Sequence, residues 1–170
     1  MRRLAGFVLL QLASALFALR RVTDSRRRTE ALRSFCDMLD QLRGLLESDG
    51  SPMPALLQTL SGRCGGEAGA FIGMLNASMG SLGRSSFDAL WKKALSACAL
   101  SIDTDTKREL EALGGVLGRY DMATELDALD TCRRHLRTLL DAHLNAQSQD
   151  TRMTIGLSLS ASLLLGILLI

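Results

Sequence analysis

The chain has 170 residues, a formal net charge of +2, one Trp and one Tyr. That balance offers neither the broad positive field nor the stacking aromatics with which nucleic-acid binders hold their ligand. The four cysteines, Cys36, Cys64, Cys98 and Cys132, are scattered with no CxxC pair, which argues against a disulfide framework or a zinc site and fits a reducing compartment.

In chain order, the first feature is an apolar run from Leu4 to Leu19. Arg2 and Arg3 ahead of it, with small residues at Ala13, Ser14, Ala15 and Ala18, give it some features of a secretory signal peptide. Five arginines follow it at once, Arg20, Arg21, Arg26, Arg27 and Arg28, and they outnumber the two that precede it. Positive residues close to a membrane helix stay cytoplasmic, so the run reads as an anchor over 1–20 with the following domain on the cytoplasmic side. The same arginines suit contact with anionic lipid head groups.

Helical periodicity dominates from there. Leu32, Phe35, Cys36, Leu39, Leu42 and Leu46 recur every three or four residues, which predicts a helix from near Arg26 to the Glu47–Gly50 region. Ser51-Pro52-Met53-Pro54 interrupts it, and Pro54 suits the first turn of a short second helix faced by Leu56, Leu57 and Leu60. After the break at Gly62 to Gly66, a third helix opens at Glu67 with the stripe Phe71, Ile72, Leu75, Met79 and Leu82, closed by Gly80 and Gly83. Ser85 with Asp88 predicts a capping box for a fourth helix carrying Phe87, Leu90, Trp91, Ala94, Leu95 and Cys98.

The polar stretch Ser101 to Thr106 supplies N-caps for a fifth helix with Leu110, Leu113 and Leu117, and Gly118 stands where a left-handed C-cap is wanted. A sixth helix begins near Asp121, carries Leu126, Leu129, Leu136, Leu140 and Leu144, and meets no proline before Ile170. Its tail, Met153 to Ile170, holds no charge after Arg152 and spans about 27 Å as a helix, the thickness of a bilayer core. The expected architecture is therefore all-α: a six-helix bundle over 21–150 between membrane anchors at 1–20 and 151–170.

Catalysis needs convergent groups, and few are available. His135 and His143 are eight residues apart on one helix, about 12 Å along its axis, too far to share a metal without a third element. Asp127, Asp130 and Asp141 beside Arg133, Arg134 and Arg137 read as ion pairs along a helix surface. Gly62 to Gly66 lacks the pattern of a phosphate loop, and Ser85 and Ser86 lack the context of a nucleophile. The expectation is a protein with no enzymatic activity, no cofactor, no metal and no small-molecule substrate. Arg119, Tyr120 and Asp121 form the candidate partner-binding site, two charges and an amphipathic ring on one turn after the Gly118 break. Asp121 also suits the N-cap of the sixth helix.

The ordered set of an amino-terminal anchor, an Arg-rich segment, Gly50-Ser51-Pro52-Met53-Pro54-Ala55-Leu56-Leu57, Phe87-Asp88-Ala89-Leu90-Trp91, Leu117-Gly118-Arg119-Tyr120-Asp121 and a terminal anchor resembles the stage III sporulation protein AB family. The resemblance implies a middle domain similar to the six-helix cytoplasmic domain of type II secretion system F proteins. It further implies a platform in the transenvelope complex joining mother cell and forespore, seated in the mother-cell membrane. Its expected partners are a secretion-type ATPase like stage III sporulation protein AA, other stage III membrane proteins and the lipid bilayer. Cys132, His135 and His143 depart from the Glu- and Gln-rich sixth helix that the family leads one to expect. The alternative, a general type II secretion or type IV pilus platform protein, usually repeats its helical domain, and no second copy occurs here.

Overall fold

The computed structural model describes the backbone over residues 2–49, 51–119 and 121–169, and the side chains over 23–48, 51–119 and 121–145. Its elements are α1 (Arg2–Asp49), α2 (Met53–Ser61), α3 (Gly66–Ser78), α4 (Phe87–Ala97), α5 (Thr104–Val116) and α6 (Met122–Leu169), with a 3-10 turn at Met79–Ser81 after α3. The expected anchors at 1–20 and 151–170 lie outside the residues with described side chains. Among the described residues, no helix is long and apolar enough to cross a membrane.

At the starts of α3, α4 and α5 a side chain satisfies a free helix amide. The Ala89 amide donates to Ser86 Oγ at 3.3 Å, so Ser86 caps α4 and the expected box on Ser85 does not form. Asp103 caps α5 through the Thr106 amide at 3.3 Å, and the buried Thr106 hydroxyl bonds the same carboxylate. For α3 the N-cap is Gly65, which has no side chain to offer. Ser34 of α1 supplies the group instead, its Oγ accepting from the Ala68 amide at 3.3 Å.

The third helix ends earlier than its apolar stripe predicts. Met79 enters the 3-10 turn and Leu82 points outward, 43% exposed, rather than continuing the buried face. The backbone leaves the helix by Leu82, whose ψ is 126°, and Gly83 at a φ of 107° then turns the chain towards α4.

Trp91 stands at the centre of the core, fully buried. Phe71 meets it edge-on with centroids 4.9 Å apart, and Phe87 and Phe35 extend the cluster on either side. Its indole Nε1 donates to the Leu110 carbonyl of α5 at 2.6 Å, which satisfies the one polar atom of the ring. Gly114 makes that approach possible, because a Cβ there would sit 2.2 Å from Trp91 Cδ1.

α1 and α6 run antiparallel: Asp40 meets Arg133 and Arg137, and Arg43, further along α1, meets Asp130, earlier on α6. Leucines and the thiols of Cys36 and Cys132 are buried under these charges. Burial pushes the two thiols up to about 11 and about 12, which keeps them unreactive. All four cysteines are free. α4 and α5 are likewise antiparallel, with Phe87 beside Gly118 and Trp91 beside Leu110. The α3–α4 connection and the α5–α6 turn therefore share one end of the bundle, where α1 stops and α6 begins. That end is called the far end below.

Candidate functional site

The α5–α6 turn is built by three short-range devices. Gly118 takes the left-handed φ of 74° expected of a glycine just past a helix end. The Arg119 amide donates back to the Val116 carbonyl at 3.3 Å. Asp121 then caps α6, accepting from the Thr124 amide at 3.3 Å and from the Thr124 hydroxyl at 2.7 Å. The Thr124 hydroxyl first, and the Thr124 amide after it, hold the Asp121 carboxyl below its ordinary value.

A fourth contact comes from a residue that sequence reasoning missed. Glu125 is buried, and its Oε1 accepts from the Gly118 amide at 2.6 Å. The first turn of α6 thus reaches back over the connection and ties its two ends together. The capping box places its Glu or Gln three residues after the cap, whereas Glu125 stands four after Asp121, so that pattern does not reveal it.

Arg119 lies exposed on this fixed turn and, among the described residues, has neither a hydrogen bond nor an ion pair. Tyr120 lies outside the described residues. Asp121 is exposed and engaged with Thr124. Of the three expected site residues, the structure therefore gives Asp121 a structural task and leaves the Arg119 side chain free to meet another molecule.

The remaining titratable groups are arranged for packing. Arg133 and Arg137 reach across to Asp40 of α1 at 2.9 and 2.6 Å, and Arg43 reaches Asp130 at 2.9 Å. Among the described residues, the Arg133–Asp130 pair at 3.1 Å is the one ion pair that runs along the sixth helix as expected from the sequence. Burial works to raise the Asp40 carboxyl, yet the hydrogen bonds and charges of Arg133 and Arg137 prevail and hold it below its ordinary value. His135 faces Glu109 of α5 at 3.2 Å. Among the described residues, no three His, Cys, Asp or Glu side chains are grouped to hold a metal ion.

The Leu-Gly-Arg-Tyr-Asp turn, the six helices and their order invite comparison with known proteins. The model of the stage III sporulation protein AB family matches residues 3–170. The chain belongs to that family. A solved structure of a stage III sporulation protein AB superposes with a TM-score of 0.65 over 72% of this chain and 98% of its own, at 17% sequence identity. At that identity the likeness supports the fold, an all-helical bundle. No match to a curated protein was found by sequence. Family membership makes the chain a component of the sporulation machinery, and its fold is the helical bundle described above.

Proposed function

We propose that this chain is a non-enzymatic platform of the transenvelope complex between mother cell and forespore. In this reading the apolar ends, 1–20 and 151–170, anchor it in the mother-cell membrane, and the bundle over 21–150 lies in the cytoplasm. Its far end receives a secretion-type ATPase like stage III sporulation protein AA, and the two long helices carry the resulting force to other stage III membrane proteins. The arginine excess behind the first apolar run supports the topology. The family match supports the setting.

One observation carries the partner surface: Arg119 is exposed and unpaired on a turn fixed by Glu125 and Asp121. An exposed guanidinium with no partner in the fold gives up no internal bond on binding, which suits a recognition residue. The Arg119→Ala protein is expected to stay folded and membrane-inserted, bind the ATPase more weakly and lower spore yield. Normal ATPase binding and normal spore yield would reject the assignment. Topology has its own test. A cysteine probe at the C-terminus should react with an external, membrane-impermeant reagent, and one in the 62–66 loop should not.

A further inference from the structure

Charge at the far end is divided unequally. Three acids lie in its loops and first helical turns, and each is engaged within the fold. Asp88 accepts from Lys92 Nζ at 2.9 Å, Asp121 caps α6 through Thr124, and Glu125 is buried against the Gly118 amide. Asp127 stands further along α6, outside the loops. The two arginines of the same loops, Arg84 and Arg119, are exposed, and among the described residues neither has a hydrogen-bonding or ionic partner for its side chain. Within these two connections the unpaired charge is therefore positive; Asp49, which ends α1 at the same end of the bundle, lies outside the residues with described side chains.

Arg84 is held in place much as Arg119 is. Its amide donates to the Ser81 carbonyl at 3.0 Å and the Ser85 amide to the same oxygen at 3.2 Å, with Gly83 in the left-handed region between them. The two turns are joined through Phe87, whose ring lies 3.9 Å from where a Gly118 Cβ would be. Within three positions of each arginine in the chain stands an apolar side chain that the fold leaves in water: Leu82, 43% exposed, and Met122, 45% exposed. They are two of the four large apolar residues so exposed among the described residues. Apolar groups next to unpaired guanidinium groups have the composition of a protein-binding patch, with Met and Arg both favoured at interfaces.

From this division we infer that the α3–α4 connection and the α5–α6 turn form one docking surface, with Arg84 and Arg119 as its charges and Leu82 and Met122 as its apolar contacts, for an acidic protein face with an apolar centre. Charge complementarity selects that occupant, since the surface offers two free cations and no free acid in its loops. The inference rests on the reading that the far end meets the ATPase, and it adds Arg84, Leu82, Met122 and the sign of the partner's charge.

The test uses the full chain in detergent micelles and a purified secretion-type ATPase like stage III sporulation protein AA. Arg84→Glu and Arg119→Glu are each expected to weaken binding by about tenfold or more, and added salt to weaken the native complex. Arg84→Lys should hold most of the affinity. Arg63→Glu, in the exposed α2–α3 loop at the opposite end, should leave it unchanged. If Arg119→Glu weakens binding and Arg84→Glu does not, the joint surface is overturned and the reading of Arg119 stands. If neither does, that reading falls with it. A loss with Arg63→Glu equal to that with Arg84→Glu would show attraction by overall charge and overturn the surface.

Discussion

α4 and α5 meet through an indole set against a glycine, whereas α1 and α6 meet through leucines rimmed by charges. The first seam depends on shape. Trp91 fills the space that Gly114 leaves, and its single polar atom is satisfied by Leu110. The second depends on many small contributions: Asp40 is shared by two arginines, and its side chain remains about one-third exposed at 32%. Water screens such pairs, so each contributes little even though the group fixes the register of two helices. A seam built on shape should fail abruptly under mutation, and one built on charge gradually.

The largest expected effect is at the shape-dependent seam. Trp91→Ala should lower stability by about 3 to 5 kcal/mol, measured by urea unfolding of the detergent-solubilised protein followed by helical circular dichroism. A loss under about 1 kcal/mol would mean that the seam collapses around the cavity, against its description as closely packed. Gly114→Ala approaches the same contact from the other side. The added methyl must displace the ring, so a destabilisation of about 1 to 3 kcal/mol is expected, with a shifted Trp91 fluorescence maximum. An unshifted maximum would break the comparison at its source.

Glu125→Ala comes next, at about 1 kcal/mol, because the Gly118 amide loses its acceptor. Glu125→Gln keeps an oxygen in place and should recover most of that loss. Equal melting temperatures for the two variants would show that the bond does not hold the turn.

The charged seam should yield least in stability and most in pH dependence. Asp40→Asn is expected to cost about 0.2 to 1 kcal/mol at neutral pH. The native Asp40 carboxyl lies below its ordinary value, so the unfolded chain takes up its proton first as pH falls. Its stabilising contribution is complete above the ordinary carboxylate range and disappears as pH falls through the lowered value. The asparagine variant should lose that part of the acid limb, and a stability-against-pH curve parallel to the native one would contradict the assignment. Arg119→Ala should change stability by less than about 0.5 kcal/mol, whereas Asp121→Ala should lower the melting temperature. A fall in melting temperature for Arg119→Ala would place it within the fold.

The features legible in the sequence were those set by one segment at a time. The leucine stripes gave six helices in their order, and Gly118 was recognisable as a helix end because one backbone conformation there suits glycine. Asp121 was readable as a cap for the same local reason. Contacts across the chain were not legible. The arginines of α6 looked paired along their own helix, and their principal partner, Asp40, is more than ninety positions away. Leu82 looked like part of a stripe because hydrophobic spacing does not register where the backbone leaves the helix, here after Ser78. Glu125 and Arg84 lacked any pattern of their own, since their significance comes from which neighbouring charges are already occupied.

One modest contact has a consequence for the order in which the chain acquires its structure. The Ser34 hydroxyl donates to the Ala31 carbonyl at 2.8 Å, and its Oγ accepts from the Ala68 amide. The first turn of α3 is thus completed by a residue thirty-four positions upstream, and Gly65 and Gly66 give that turn little helical preference of their own. Docking on α1 therefore secures the start of α3. During synthesis the segment from 66 to 78 therefore emerges after its missing piece, and the growing chain can complete each unit on one already made.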